Sequence, residues 1–132
     1  MPTKNLLVAN KIILGIALFW TILIAFLCLV QFNSLPSVGI SGIDKYVHCT
    51  FHFVFTILWS IYFSSFLREI ILKTVIKIFL VSVSYGVLIE LLQGEFTKTR
   101  KADFMDVLAN SIGALIAVIT LLIYKNYNQK RS

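Results

Sequence analysis

The chain has 132 residues, 58% of them hydrophobic and 14% charged, with a formal net charge of +6. Its apolar residues run in long blocks rather than on alternating faces, which excludes an ordinary soluble domain and argues for an all-α integral membrane protein. The excess of positive charge does not indicate nucleic acid, because the basic residues are scattered at block ends, where membrane-edge residues sit.

In chain order the blocks are Ile12 to Phe32, Tyr46 to Leu67, Ile70 to Leu92 and Phe104 to Tyr124. Each is close to the roughly 20 residues that cross a hydrocarbon core as helix. They predict helices near 12–32, 45–67, 70–93 and 104–124, a four-transmembrane-helix bundle that makes residues 1–132 a single domain. Lys4 and Lys11 precede the first block as in a signal peptide. Its apolar run is too long for a signal core and no small-x-small cleavage pattern follows, so a retained helix is expected. Pro36, Gly39 and Gly42 mark the first connection as a loop. Lys73 and Lys77 share a helix face and can snorkel, so the bilayer-core part of the third helix starts near Ile78. Cys28 and Cys49 fall inside spans, where neither a disulfide nor metal capture is expected.

With the N-terminus inside, eight Lys and Arg residues fall on the inner side, against Lys45, Lys98, Arg100 and Lys101 on the outer side. That asymmetry predicts both termini in the cytoplasm. Whichever orientation holds, helix parity puts the loops after helices 1 and 3 on the same side. Asp44, Lys45 and His48 then begin helix 2, Glu90 and Gln93 end helix 3, and Asp103, Asp106 and Asn110 open helix 4.

Spacing turns these residues inward. Asp44, His48 and His52 are four apart, one stripe with about 6 Å of rise per step. Ser82, Gly86 and Glu90 form a second stripe, and Asp106, Asn110, Gly113 and Ala117 a third. Small residues let membrane helices approach closely, so helices 3 and 4 are expected to meet there. The result would be a polar pocket opening outward under a roof formed by residues Gly94 to Ala102.

Several of these residues have plainer roles open to them. Ser41 to Asp44 fits a capping box, and Asp103 fits the N-cap of helix 4 with Asp106 at its third position. Glu90 has no such role, since the C-terminal end of its own helix repels negative charge. It needs His48, Lys45 or Arg100 as partner, or a proton, or it locks the bundle by an interhelical hydrogen bond. His52, being deeper, fits a structural role. His48 and His52 could share a metal at helical spacing, but no third ligand or zinc-protease glutamate accompanies them, so no metal and no cofactor is expected. Lys98, Arg100 and Lys101 could be a plain solvated loop, or Arg100 could grip a phosphate at two points. Ser82, Ser84 and Ser111 have no evident base, so no nucleophile can be named and catalysis stays open.

The joint order of D-K-x-x-H at Asp44, Lys45 and His48, E-x-x-Q at Glu90 and Gln93, Arg100, and D-x-x-x-N-x-x-G at Asp106, Asn110 and Gly113 resembles the VanZ-like family. The resemblance runs from about Asp44 onward, and the first helix carries no motif of it. VanZ-like proteins are small bacterial membrane proteins whose founding member is associated with low-level teicoplanin resistance. The resemblance therefore implies a multi-pass protein of the bacterial cytoplasmic membrane with a role at the cell envelope, and it supplies no reaction.

On this reading Asp44, Lys45, His48, Glu90, Gln93, Arg100, Asp106 and Asn110 form a polar cluster that binds the anionic head group of an envelope ligand, such as a lipid-linked cell-wall precursor. Membrane lipid or an envelope protein are the expected partners. A small proton-coupled transporter is the alternative, weakened because the polar set lies on one side whereas alternating access needs both. A structural or accessory subunit of an envelope complex is a third reading.

Overall fold

The computed structural model describes residues 2–30, 42–67, 70–97 and 101–131, with the side chains of residues 2–6 excepted. It contains four helices: α1 over Pro2–Leu29, α2 over Ile43–Leu67, α3 over Leu72–Phe96 and α4 over Phe104–Arg131. All four are long and apolar enough to cross a membrane. Their outward faces carry large exposed apolar side chains, among them Phe19, Ile22, Leu80, Leu91, Ile119 and Ile123. Apolar surface on this scale suits hydrocarbon better than water.

Helices α1 and α4 are longer than their apolar blocks. The reading of the first helix as 12–32 is corrected at both ends, since it begins at Pro2 and stops at Leu29. Lys4, Asn5, Asn10 and Lys11 do not break a helix, so the backbone bonds continue past the apolar limit. In the same way α4 runs past Tyr124 to Arg131. The ends of α2 and α3 differ from expectation by only a few residues. Gly42 precedes α2 with φ of 83°, a left-handed conformation that a residue with a Cβ adopts only at a cost.

Helix α2 is central, pairing with α1, α3 and α4, and its pairing with α4 is the most extensive in the bundle. The reason lies at Gly113, where a Cβ would run into the backbone carbonyl of Cys49. Gly113 of that small stripe thus faces α2, while α3 and α4 also meet as expected. Gly86 does face α4, since a Cβ there would stand 2.7 Å from Asn110 Nδ2.

Helix α1 is fastened on the other side, to α2 and α3, by aromatic donors. Trp20 Nε1 donates to the Phe51 carbonyl at 3.0 Å, Trp59 Nε1 to Thr21 Oγ1 at 3.1 Å, and the Tyr85 hydroxyl to the Thr21 carbonyl at 2.6 Å. Ile24, Cys28, Phe55 and Ile89 form the apolar cluster beneath these bonds. A second cluster, Val75, Val118 and Leu121, joins the start of α3 to the later turns of α4. The helices alternate in direction, so the ends of α1 and α3 meet the beginnings of α2 and α4.

Candidate functional site

At that shared end the structure brings together most of the polar residues expected there. His48, Glu90, Gln93, Asp106 and Asn110 are all buried, whereas Asp44 and Lys45 are partly exposed. Arg100 and Lys98, expected to reach over the pocket, lie outside the described residues, as does Ser41 of the expected capping box. Of the expected roof, Gly94 packs against Ala102, which folds back onto the end of α3.

Asp103 caps α4. Its Oδ1 accepts from the Met105 N–H at 2.8 Å, and its carbonyl accepts from the N–H groups of Asp106 and Val107. This bond to Met105, aided by the ammonium of Lys45, holds the Asp103 carboxyl below the usual carboxylate range. In a complete capping box the third helical residue would accept from the cap's own N–H. Asp106 does not. The acceptor is Glu90 Oε2, reaching from α3 to the Asp103 N–H at 3.2 Å.

This substitution of one acid for another explains two placements together. Glu90 lies at the unfavourable end of its own helix, but also at the N-terminus of α4, where the dipole and free N–H groups favour a carboxylate. Asp106, released from capping, faces α2. Its Oδ1 lies 3.4 Å from Lys45 Nζ and its Oδ2 3.7 Å from His48 Nε2. Lys45 also reaches Asp103 at 3.4 Å and its neighbour Asp44 at 3.6 Å.

His48 sits between the acids. Its Nδ1 is 3.1 Å from Asn110 Oδ1 and 3.7 Å from Glu90 Oε1. A carbonyl oxygen can only accept, so the bond to Asn110 places a proton on Nδ1. Two buried polar atoms beside it have no hydrogen-bond partner among the described residues, Glu90 Oε1 and Asn110 Nδ2. Such atoms cost stability unless something arrives to satisfy them. His48, Glu90 and Asp106 each place one ligand atom so that all three lie within 4.8 Å of one another. The group does not include His52: the two groups beside His48 come from α3 and α4.

Other members of the expected set are placed elsewhere. Gln93 points away from the acids, and its Nε2 donates to the Cys28 carbonyl at 2.8 Å, tying the last turn of α1 to α3. It is a clamp on α1, which the spacing Glu90 to Gln93 could not reveal because α1 carries no matching polar residue. His52 Nδ1 is bonded to Ser82 Oγ at 2.9 Å, and its ring lies near those of Phe55 and Tyr85. Ser111 bonds back to the Val107 carbonyl, and Ser84 is exposed, so neither belongs to the site.

The sequence reading also missed a continuation. Thr56, Ser60 and Ser64 extend the stripe of Asp44, His48 and His52 at the same spacing of four, and all three are buried with no side-chain hydrogen-bond partner among the described residues. The polar stripe of α2 therefore runs about 24 Å from His48 to Ser64. The expectation that polar groups are confined to one end is corrected. The signal was present in the spacing, but small hydroxyl residues in an apolar run do not stand out by charge.

Comparisons of the chain with protein-family models, with curated proteins and with solved structures find no match.

Proposed function

We propose that this chain is a VanZ-like multi-pass protein of the bacterial cytoplasmic membrane, with both termini cytoplasmic, whose polar end faces outward and recognises the head group of an envelope lipid. The observation that supports it is the group of unsatisfied buried atoms beside a rim cation: Glu90 Oε1 and Asn110 Nδ2 below, Lys45 above. Glu90 offers an acceptor and Asn110 a donor, while Lys45 offers a positive charge.

Among the described residues acids outnumber bases in this network, since Asp44, Asp103, Asp106 and Glu90 gather about Lys45 and His48. A bare anion would be repelled there. The matching ligand combines a phosphate, held at the rim by Lys45, with hydroxyl or N–H donors that enter toward the acids. A polyprenyl-pyrophosphate carrying a sugar has that chemistry, and a contribution to teicoplanin resistance would follow from holding such a precursor.

The test is binding of the full chain to vesicles containing a polyprenyl-pyrophosphate-linked sugar, alongside teicoplanin susceptibility of cells expressing it. His48→Ala, Glu90→Gln and Arg100→Ala should each weaken binding at least about tenfold, the loss of a charge-assisted bond, in protein that is still folded and inserted. Normal binding and unchanged susceptibility in all three would sink the reading.

A proton-coupled carrier is favoured by one observation, the stripe from His48 through Thr56 and Ser60 to Ser64. Substrate flux into reconstituted vesicles, abolished by Glu90→Gln and by Ser60→Val, would put this reading first.

A further inference from the structure

We propose that His48, Glu90 and Asp106 bind one divalent transition-metal ion, of the zinc or cobalt kind, at the meeting of α2, α3 and α4. The inference stands on how each of the three side chains divides its two polar atoms. In each carboxylate one oxygen is engaged by a neighbouring group and the other faces the imidazole of His48.

For Glu90, Oε2 accepts from the Asp103 N–H and Oε1 is buried without a hydrogen-bond partner among the described residues. For Asp106, Oδ1 meets Lys45 and Oδ2 faces the imidazole. For His48, Nδ1 meets Asn110 Oδ1 and lies 3.7 Å from Glu90 Oε1, while Nε2 lies 3.7 Å from Asp106 Oδ2; a neutral ring with its proton on Nδ1 offers Nε2 to the ion. Ligands of metal ions are oriented in this way, with the second atom of each histidine or carboxylate held by an outer partner.

Distances separate this arrangement from a hydrogen-bonded ion pair. A protonated His48 bonded to both acids would stand within about 3.2 Å of each. The two contacts are each 3.7 Å instead, Glu90 Oε1 to Nδ1 and Asp106 Oδ2 to Nε2. Around an ion with bonds of about 2.0–2.2 Å, neighbouring ligand atoms lie about 3–4.5 Å apart. The three ligand atoms here fall within 4.8 Å of one another, so small side-chain rotations complete the set. An imidazole with two carboxylates suits a zinc-like ion better than magnesium or calcium, which prefer oxygen alone.

Three protein ligands leave a coordination position open. A divalent charge would offset the two buried carboxylates and present a positive centre where the acids alone repel anions. That second role, receiving a phosphate oxygen of the head group, rests on the proposed function. The binding of the ion does not.

The experiment uses the full chain, stripped of metal in detergent micelles and titrated with Co²⁺ alone, followed by its visible d–d absorption and by equilibrium dialysis against Zn²⁺. Saturation at one ion per chain is expected. His48→Ala and Asp106→Asn should each weaken binding about tenfold or more, and Glu95→Gln, at an exposed acid outside the cluster, should leave it unchanged. Asn110 is a positioning residue, so Asn110→Ala should weaken binding about 10- to 100-fold, with recovery in Asn110→Asp, which restores the acceptor. Glu90→Gln keeps an acceptor for the Asp103 N–H and so separates loss of the ligand from loss of the fold. Should His48→Ala fail to fold, His48→Gln and Asp106→Asn carry the test. No d–d bands and no retained ion in folded wild-type protein would overturn the proposal, as would binding that survives both ligand substitutions. No lipid is present, so failure here leaves the head-group reading to its own experiment.

Discussion

The two halves of α2 present one stripe with one spacing, yet they meet different neighbours. In the first half, His48 and His52 are buried and each is bonded across to another helix, to Asn110 and Ser82. In the second half, Thr56, Ser60 and Ser64 are equally buried and have no side-chain hydrogen-bond partner among the described residues. The beginning of α4 and the end of α3 deliver acids and an amide to the first half. Near the other end α3 and α4 contribute the apolar cluster of Val75, Val118 and Leu121. A regular polar stripe thus becomes a candidate site only where the facing helices supply complementary groups.

The sharpest way to break this contrast is to force the helices apart in the polar half. Gly113→Leu drives a side chain into the Cys49 carbonyl, and the loss of stability should be about 3 kcal/mol, as for strong overpacking. Thermal unfolding in detergent measures it, and a wild-type melting temperature would show that α2 and α4 do not approach as closely as described. A smaller effect is expected from Gln93→Leu, which removes the bond to the Cys28 carbonyl and should cost about 1 kcal/mol, in the range of interhelical hydrogen bonds in membranes. Hydrogen exchange at the last turn of α1 should rise with it. The least change belongs to the second half of the stripe. Ser60→Ala deletes a hydroxyl that bonds to no described residue, so stability should move by less than about 0.5 kcal/mol in either direction. A large loss would mean that the hydroxyl is satisfied, by water or a ligand, and would favour the carrier reading.

Much of the helical architecture was legible in the sequence because the apolar blocks have the length that spans hydrocarbon, and a chain in lipid must satisfy its backbone within each helix. The helix ends were less legible. Asn10 and Lys11 are compatible with helix and with loop alike, so a hydropathy limit near residue 12 said nothing of where backbone bonding begins. The shared end of the polar set followed from parity alone. Gln93 and Ser111 were misplaced because spacing gives the face of a helix but not which neighbour that face meets.

By itself the sequence determined that the chain is helical, that it carries four segments able to cross a membrane, and that Asp44, His48, Glu90, Asp103 and Asp106 belong to segment ends on one side. Those properties depend on hydropathy, length and period, all of which are local. The tertiary structure decided which atoms pair. Only the approach of α3 to the start of α4 lets Glu90 replace Asp106 at the Asp103 N–H, and only that replacement turns Asp106 toward His48. The physical reason is that a carboxylate settles beside the nearest unpaired donors and positive ends of dipoles, and those are set by packing between helices rather than by spacing within one.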